Sequence, residues 1–333
     1  MNPKFFLPLI LFFAAVVTPG QSSLRDEGIS LYKQGNDAGA IKVLEKVVKQ
    51  KDFANDGEAW NTLGLAHLGN QSPKKARRAL EKAVELKPGI DAYRANLSYA
   101  YLMNRQLGKS EESADKALQI NPNNSFARYV IAVRHYWEGD LEGALANVDS
   151  IFPKNPAFAP AYLLKSDVLM SRFGKRVAVH HNVLTEIDLL GEAVDVLESG
   201  YKNAKVEADR KVVGEQLDTM RFFLDHYRRR KVAGDLETPA TPSPGTIPVK
   251  ITYQPKATYT DSARQANASG AVRLAILLGA DRKVSHILKL WGIGYGLDEQ
   301  AIRAARAIKF EPKKVDGKPV PVVVIREYTF SIY

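Results

Sequence analysis

From residue 24 to about residue 160 small and apolar residues recur with a helical period, and the pattern itself repeats. Ala79, Leu80, Ala83, Val84 and Leu86 predict one apolar helix face that ends at Pro88. Pro88, Pro122 and Pro156 are evenly spaced, and each stands where a helix must stop. The unit between prolines therefore reads as helix, turn, helix. Residues 91–124 keep Leu97, Ser98, Tyr101, Ala114, Ala117 and Pro122 in register, and residues 125–158 keep Ile131, Ala132, His135, Gly139, Ala144 and Pro156. An earlier unit carries Gly28, Leu31, Gly35, Ala40, Leu44 and Val47, with Asp52 in its proline slot; a fifth begins with Tyr162 and Leu169 and then loses the pattern.

Between residues 175 and 230 the helical period continues without the repeat, through Val183, Ile187, Leu190, Val194 and Leu197, then Val212, Leu217, Met220 and Leu224. Two longer helices capping the open end of the array are expected, since terminal units of repeat arrays are atypical. Residues 232–249 hold four prolines and little apolar material, so they read as a semi-extended linker. Beyond it the period changes to that of strands. Residues 270–278 (GAVRLAILL) and 284–291 (VSHILKLW) predict a hairpin around residues 279–283. Residues 261–268 suit a short helix, Leu297, Ala301, Ala304, Ala305 and Ile308 mark a second one, and residues 322–333 form a last strand. Strand, helix, hairpin, helix, strand predicts helices on one face of a small antiparallel sheet.

Trp60, Leu63, Gly64 and His67, followed by Ala76, Leu80, Ala83 and Pro88, match the tetratricopeptide repeat pattern, with His67 in the usual Tyr slot. The interval between the prolines is also the one that pattern requires, about 34 residues. The stacked first helices of such an array line a concave surface suited to a peptide. In this register Asn61, Thr62, Leu65, Asn96, Tyr99, Met103, Tyr129, Val133, Tyr136 and Trp137 face that groove, while packing between repeats is the competing reading for Tyr99, Tyr136 and Trp137. The cationic clamp by which some members of the family grip a C-terminal carboxylate is absent, because the matching slots hold Arg25, Ile29, Thr62, Ala92 and Asn96.

Seven spaced elements of the tail agree in order with another family. Tyr253 and Pro255, Ala263, Gly270-x-Val272-x-Leu274, the turn before Val284, Leu297-Asp298 with Ala301 and Ala304, Phe310-x-Pro312, and Asp316-Gly317-Lys318-Pro319-Val320 closely resemble the C-terminal domain of TonB. The resemblance implies a periplasmic protein-binding domain that takes a segment of an outer-membrane transporter as an extra strand. The contacting edge would then be Val322, Val323, Val324, Ile325, Arg326, Tyr328 and Phe330. Full energy transducers of that family carry a membrane-spanning N-terminal helix, whereas here a short signal-like sequence and a repeat array stand in its place.

The fold expected is thus an all-α tetratricopeptide solenoid followed by a small α+β domain with an antiparallel sheet. Its parts are a signal peptide (1–22), repeats (23–174), capping helices (175–231), a linker (232–249) and the TonB-like domain (250–333). In the first of these, thirteen uncharged residues, 5–17, follow Lys4, too few to cross a bilayer core that takes about 20. Export to the periplasm is expected, with an inner-membrane anchor as the alternative if the segment is retained. No cysteine is present, which excludes disulfides and thiolate chemistry. Residues 250–333 carry fourteen Lys and Arg against seven Asp and Glu, a balance of +7 within a total of +10. A basic exported surface suits envelope proteins as partners, and no nucleic-acid motif accompanies it.

No catalytic, cofactor-binding or metal-binding set emerges. His67 and His135 occupy packing slots of the repeat, and His180 and His181 are adjacent, so they point apart. Gly292, Gly294 and Gly296 lack the lysine of a phosphate loop and are expected to form a plain exit from the hairpin. The leading reading is a periplasmic adaptor without enzymatic activity, the repeats holding one partner and the tail another; the alternative is a membrane-anchored TonB-type energy transducer.

Overall fold

The computed structural model describes residues 23–180, 183–232, 245–260, 263–264 and 267–331. The signal-like segment 1–22 and most of the Pro-rich stretch, 233–244, lie outside the described residues, as do parts of the predicted short helix at 261–268. The chain divides into two compact units between Ala161 and Tyr162.

The first unit consists of antiparallel helix pairs: α1 (Leu24–Lys33) with α2 (Asp37–Val47), α3 (Gly57–Gly69) with α4 (Pro73–Leu86), α5 (Asp91–Met103) with α6 (Leu107–Ile120), and α7 (Ser125–Glu138) with α8 (Leu141–Asp149). Local chemistry starts these helices. Side chains of Ser23, Asn36, Asp56, Asn124 and Asp140 each accept a backbone N–H of the first turn, and Pro73 opens α4, where its missing donor costs nothing. The turn inside each pair needs one left-handed residue, and Gly35, Gln71, Arg105 and Gly139 supply it at φ of 77°, 55°, 59° and 82°, the last three one repeat length apart. Glycine is essential where the paired helices touch. A methyl group on Gly64 would come within 2.4 Å of Leu80 Cγ, and one on Gly28 within 2.7 Å of Leu44. The core that results is rich in fully buried alanines, among them Ala40, Ala59, Ala66, Ala76, Ala83, Ala95, Ala114 and Ala117.

The second unit begins within α9 (Ala159–His180) and continues with α10 (Ile187–Asn203), α11 (Glu207–Val232), β1 (Thr246–Ile247), β2 (Lys250–Tyr253), β3 (Gly270–Leu278), β4 (Val284–Trp291), α12 (Leu297–Arg306), β5 (Lys309–Glu311), β6 (Lys313–Val315), β7 (Lys318–Val320) and β8 (Val322–Phe330). Its main sheet has the order β4-β3-β8, all antiparallel, with Gly270 opposite Phe330 and Leu278 opposite Val322. β2 pairs with β5, and the β6–β7 hairpin turns at Asp316 and Gly317, both at positive φ as a tight right-twisted hairpin requires. Thr246 and Ile247 pair with Val315 and Lys314, so the last residues of the Pro-rich stretch belong to a sheet.

Alternation sorts the sheet's two faces. Val272, Leu274, Ile276 and Leu278 meet Leu297, Ala301 and Ala305 of α12 together with Tyr328 and Phe330. The opposite face carries Ala275, Leu277, Leu288 and Leu290, which are also buried. The helices therefore do not lie on one face only, as the element order alone suggested. α9 and α11 cover the second face: a methyl on Gly174 would lie 1.8 Å from the Leu290 carbonyl oxygen, and Phe222 of α11 stacks on His286 with ring centroids 4.9 Å apart. A strand apolar on both sides requires cover on both, and the near-continuous run in β3 is the sequence trace of that requirement.

Candidate protein-binding surfaces

The residues expected to face the repeat groove fall into two groups. Asn61, Thr62, Asn96, Tyr99, Tyr129 and Val133 are buried. The Asn96 amide donates to the Asn61 side-chain oxygen at 2.9 Å, a buried bond between equivalent helices of adjacent repeats. Tyr99, Phe126, Tyr129 and Phe158 form a ladder of rings with successive centroids 5.7, 6.2 and 5.7 Å apart. Burial pushes the Tyr99 phenol well above its ordinary range. These side chains pack the repeats together. Leu65, Tyr136 and Trp137 are half-buried and Met103 is exposed. Arg105 lies over the Trp137 ring at 4.9 Å, so an aromatic and cationic surface, rather than a purely apolar one, is presented there. Arg25, in a clamp slot, is held by Asp56 and Glu58.

On the C-terminal sheet, β8 pairs with β3 along its whole length, and among the described strands nothing pairs with its other side. Its backbone donors and acceptors on that side form a template for another strand. Val322, Val323, Val324, Ile325 and Arg326 are half-buried, and the Arg326 guanidinium donates to the Ile325 carbonyl at 2.8 Å. Tyr328 and Phe330 point into the core at 5% and 4% exposure, so at these positions only the backbone faces a partner. Burial raises the Tyr328 phenol to about 12.

The glycine loop after β4 runs from the hairpin into α12, with Gly294, Tyr295 and Gly296 all left-handed. Two of its amides are already used. The Asp298 carboxylate accepts from Ile293 and Gly294 N–H at 2.8 and 3.0 Å and from Lys289 Nζ at 3.0 Å. Burial alone would raise that carboxyl, but Lys289 and the two amides hold it below the usual carboxylate range. The loop is a structural clasp closed by its own acid.

The histidines are structural in the same sense. His67 is buried with Nε2 3.6 Å from Glu45, His135 meets Asp140 at 2.8 Å as part of the α8 cap, and His286 lies under Phe222. Side chains of His180 and His181 lie outside the described residues. Among the described residues no group of His, Asp or Glu could hold a metal ion, and no helix is long and apolar enough to cross a membrane.

Comparisons with known proteins match two families to separate stretches of the chain. Residues 25–89 and 61–125 match the tetratricopeptide repeat model, and residues 255–332 match the model for the Gram-negative bacterial TonB protein C-terminal. The chain carries tetratricopeptide repeats and a TonB C-terminal domain. Similar solved structures include MamA, at 19% identity and a TM-score of 0.40 over 55% of this chain and 96% of that one. YrrB, described as a tetratricopeptide protein with an unusual peptide-binding site, is similar at 17% identity and a TM-score of 0.38 over 52% of this chain and 84% of that one. The tetratricopeptide domain of Arabidopsis OM64 matches at 19% identity and a TM-score of 0.32, over 34% of this chain and 93% of that one. No curated protein matches the chain.

Proposed function

We propose that this protein, a tetratricopeptide array followed by a TonB C-terminal domain, is a periplasmic adaptor without enzymatic activity. Both module types bind proteins, and a TonB C-terminal domain belongs to the Gram-negative envelope. In this reading the repeats hold one partner on the surface around Leu65, Met103, Tyr136 and Trp137. The C-terminal domain takes an extended segment of an envelope protein, with an outer-membrane transporter as the candidate, as a strand beside β8. The carrying observation is the nine-residue strand Val322–Phe330, paired on one side only among the described residues. The charge balance of +7 in residues 250–333 favours an acidic segment. The signal-like residues 1–22 support the periplasmic assignment.

Strand addition has a backbone signature. Along β8 alternate N–H groups point to β3 and the others point away, so proline at Val323, Val324 and Ile325 in turn separates the two sets. Titrating the full-length chain with synthetic peptides from outer-membrane transporter segments should give binding that is lost with proline at outward positions while the melting temperature holds. Binding indifferent to all three prolines, or no binding by any such peptide, overturns the reading. Hydrogen exchange should show new protection confined to the outward amides of β8.

A further inference from the structure

α9 and α11 cover the second sheet face over β4 and β3, but toward β8 they leave a cavity of about 240 Å³. Val177, Val183, Leu290, Val323 and Ile325 line it with aliphatic surface, and the Tyr227 ring closes one side. Arg230, from the last turn of α11, and Arg273, from β3, also line it. Neither guanidinium forms an ion pair or hydrogen bond with any described residue. Glu327 stands across the ladder from Arg273, yet its side chain is exposed and makes no ion pair with it. Two cations thus border one cavity of mixed aliphatic and polar lining without an anion among its lining residues. An anion in that cavity would have two guanidinium groups at its border to accept from.

We propose that this cavity is a binding site for a single-chain anionic amphiphile. The headgroup, carboxylate or phosphate, bridges Arg230 and Arg273, and the tail lies on Val177, Leu290, Val323 and Ile325. Size sets the class. The volume of about 240 Å³ lies below the roughly 300–1,000 Å³ of sites for drug-sized ligands, room for one short alkyl chain and not for the two chains of a bilayer lipid. A free fatty acid or alkyl phosphate fits, with the planar guanidinium fork supplying two-point contacts to either headgroup. The site is independent of strand addition at β8, because it uses side chains on the helix-covered face rather than the open backbone edge.

Calorimetric titration of the full-length protein with sodium octanoate tests the assignment, with octyl phosphate, 1-octanol and phosphatidylglycerol vesicles as comparison arms. Saturable one-to-one binding of octanoate or octyl phosphate is expected, at least about tenfold tighter than octanol, since a charge-assisted hydrogen bond carries that much. Shortening the tail should weaken binding roughly fourfold per methylene. Arg230→Ala and Arg273→Ala should each lose about tenfold, and Arg273→Lys should recover part of it. Ile325→Trp fills the space, keeps both charges and should abolish binding. The proposal is overturned if octanol binds as well as octanoate, if both arginine variants keep full affinity while folded, or if vesicles bind and free octanoate does not. The octanoate-to-octanol ratio is read on the unaltered protein, so it decides the matter even where a variant is unstable.

Discussion

In the repeat unit Gly64 rests on Leu80 of the very next helix, whereas in the C-terminal unit Gly174 rests on the carbonyl of Leu290, with α10, α11 and the strands β1, β2 and β3 intervening along the chain before β4 begins. Both are helical glycines placed where nothing larger fits, yet they belong to different ways of building a core. The repeats close every contact between neighbouring helices and then copy the solution once per repeat. The C-terminal unit joins two helices, α9 and α11, to a sheet whose strands come from much later in the chain. The first arrangement shows in the sequence as a period, and the second leaves only a composition, apolar on both faces of β3. Local contacts also form early and tolerate damage repeat by repeat, while a seam between distant segments succeeds or fails as a whole.

Substitutions can sharpen that contrast, and the strongest should be Gly174→Ala. A backbone carbonyl cannot swing aside as a side chain can, so about 3 kcal/mol or more of destabilisation is expected. Differential scanning calorimetry should place the loss in a transition that includes residues 162–331 and leave helical signal from the repeats. A single shifted transition for the whole chain would break the comparison. Gly64→Ala should cost about 2 kcal/mol, since the flexible Leu80 side chain can give part of the way. Hydrogen exchange should loosen α3 and α4 first.

Asp298→Asn should cost about 1.5 kcal/mol by weakening the clasp on Lys289 and the two loop amides, with faster exchange at Ile293 and Gly294. Acid should weaken both units in parallel. His67 and His226 are each held below the ordinary histidine range, His67 by burial and His226 by burial reinforced by Arg230 and Arg229. A depressed histidine means that the unfolded chain binds more protons, so stability is full above pH about 6.5 and falls as the pH drops below it. Melting temperatures from pH 8 to 5 should decline, and His67→Gln should flatten the decline for the repeats alone. The smallest effect expected is a gain: Gln71→Gly relieves a left-handed residue at φ 55° and should add about 0.5–1 kcal/mol.

Much of the fold that carries the candidate surfaces was legible in the sequence alone. The even spacing of Pro88, Pro122 and Pro156 marked out the helix pairs, and the Asp316-Gly317 turn and the 322–330 run located the edge strand. Less legible was which groove residues remain available. Asn96 and Tyr99 share the groove-facing register with Tyr136 and Trp137, but only contact between repeats buries the first two and leaves the others half-open. Tyr328 and Phe330 likewise lie on the edge strand with side chains turned to the core, a consequence of strand parity and of which face α12 covers.

The sequence by itself determined the repeating helix pairs, the hairpin, second helix and last strand of the tail and the placement of its basic charge. Each of these depends on residues a few positions apart or on composition, and such information survives in one dimension. Tertiary structure decided that α9 and α11 cover the second sheet face, that Asp298 closes the glycine loop, and that Arg230 and Arg273 meet at one cavity. Those outcomes join residues of different elements, brought together only by packing. No periodicity records such encounters, because each occurs once.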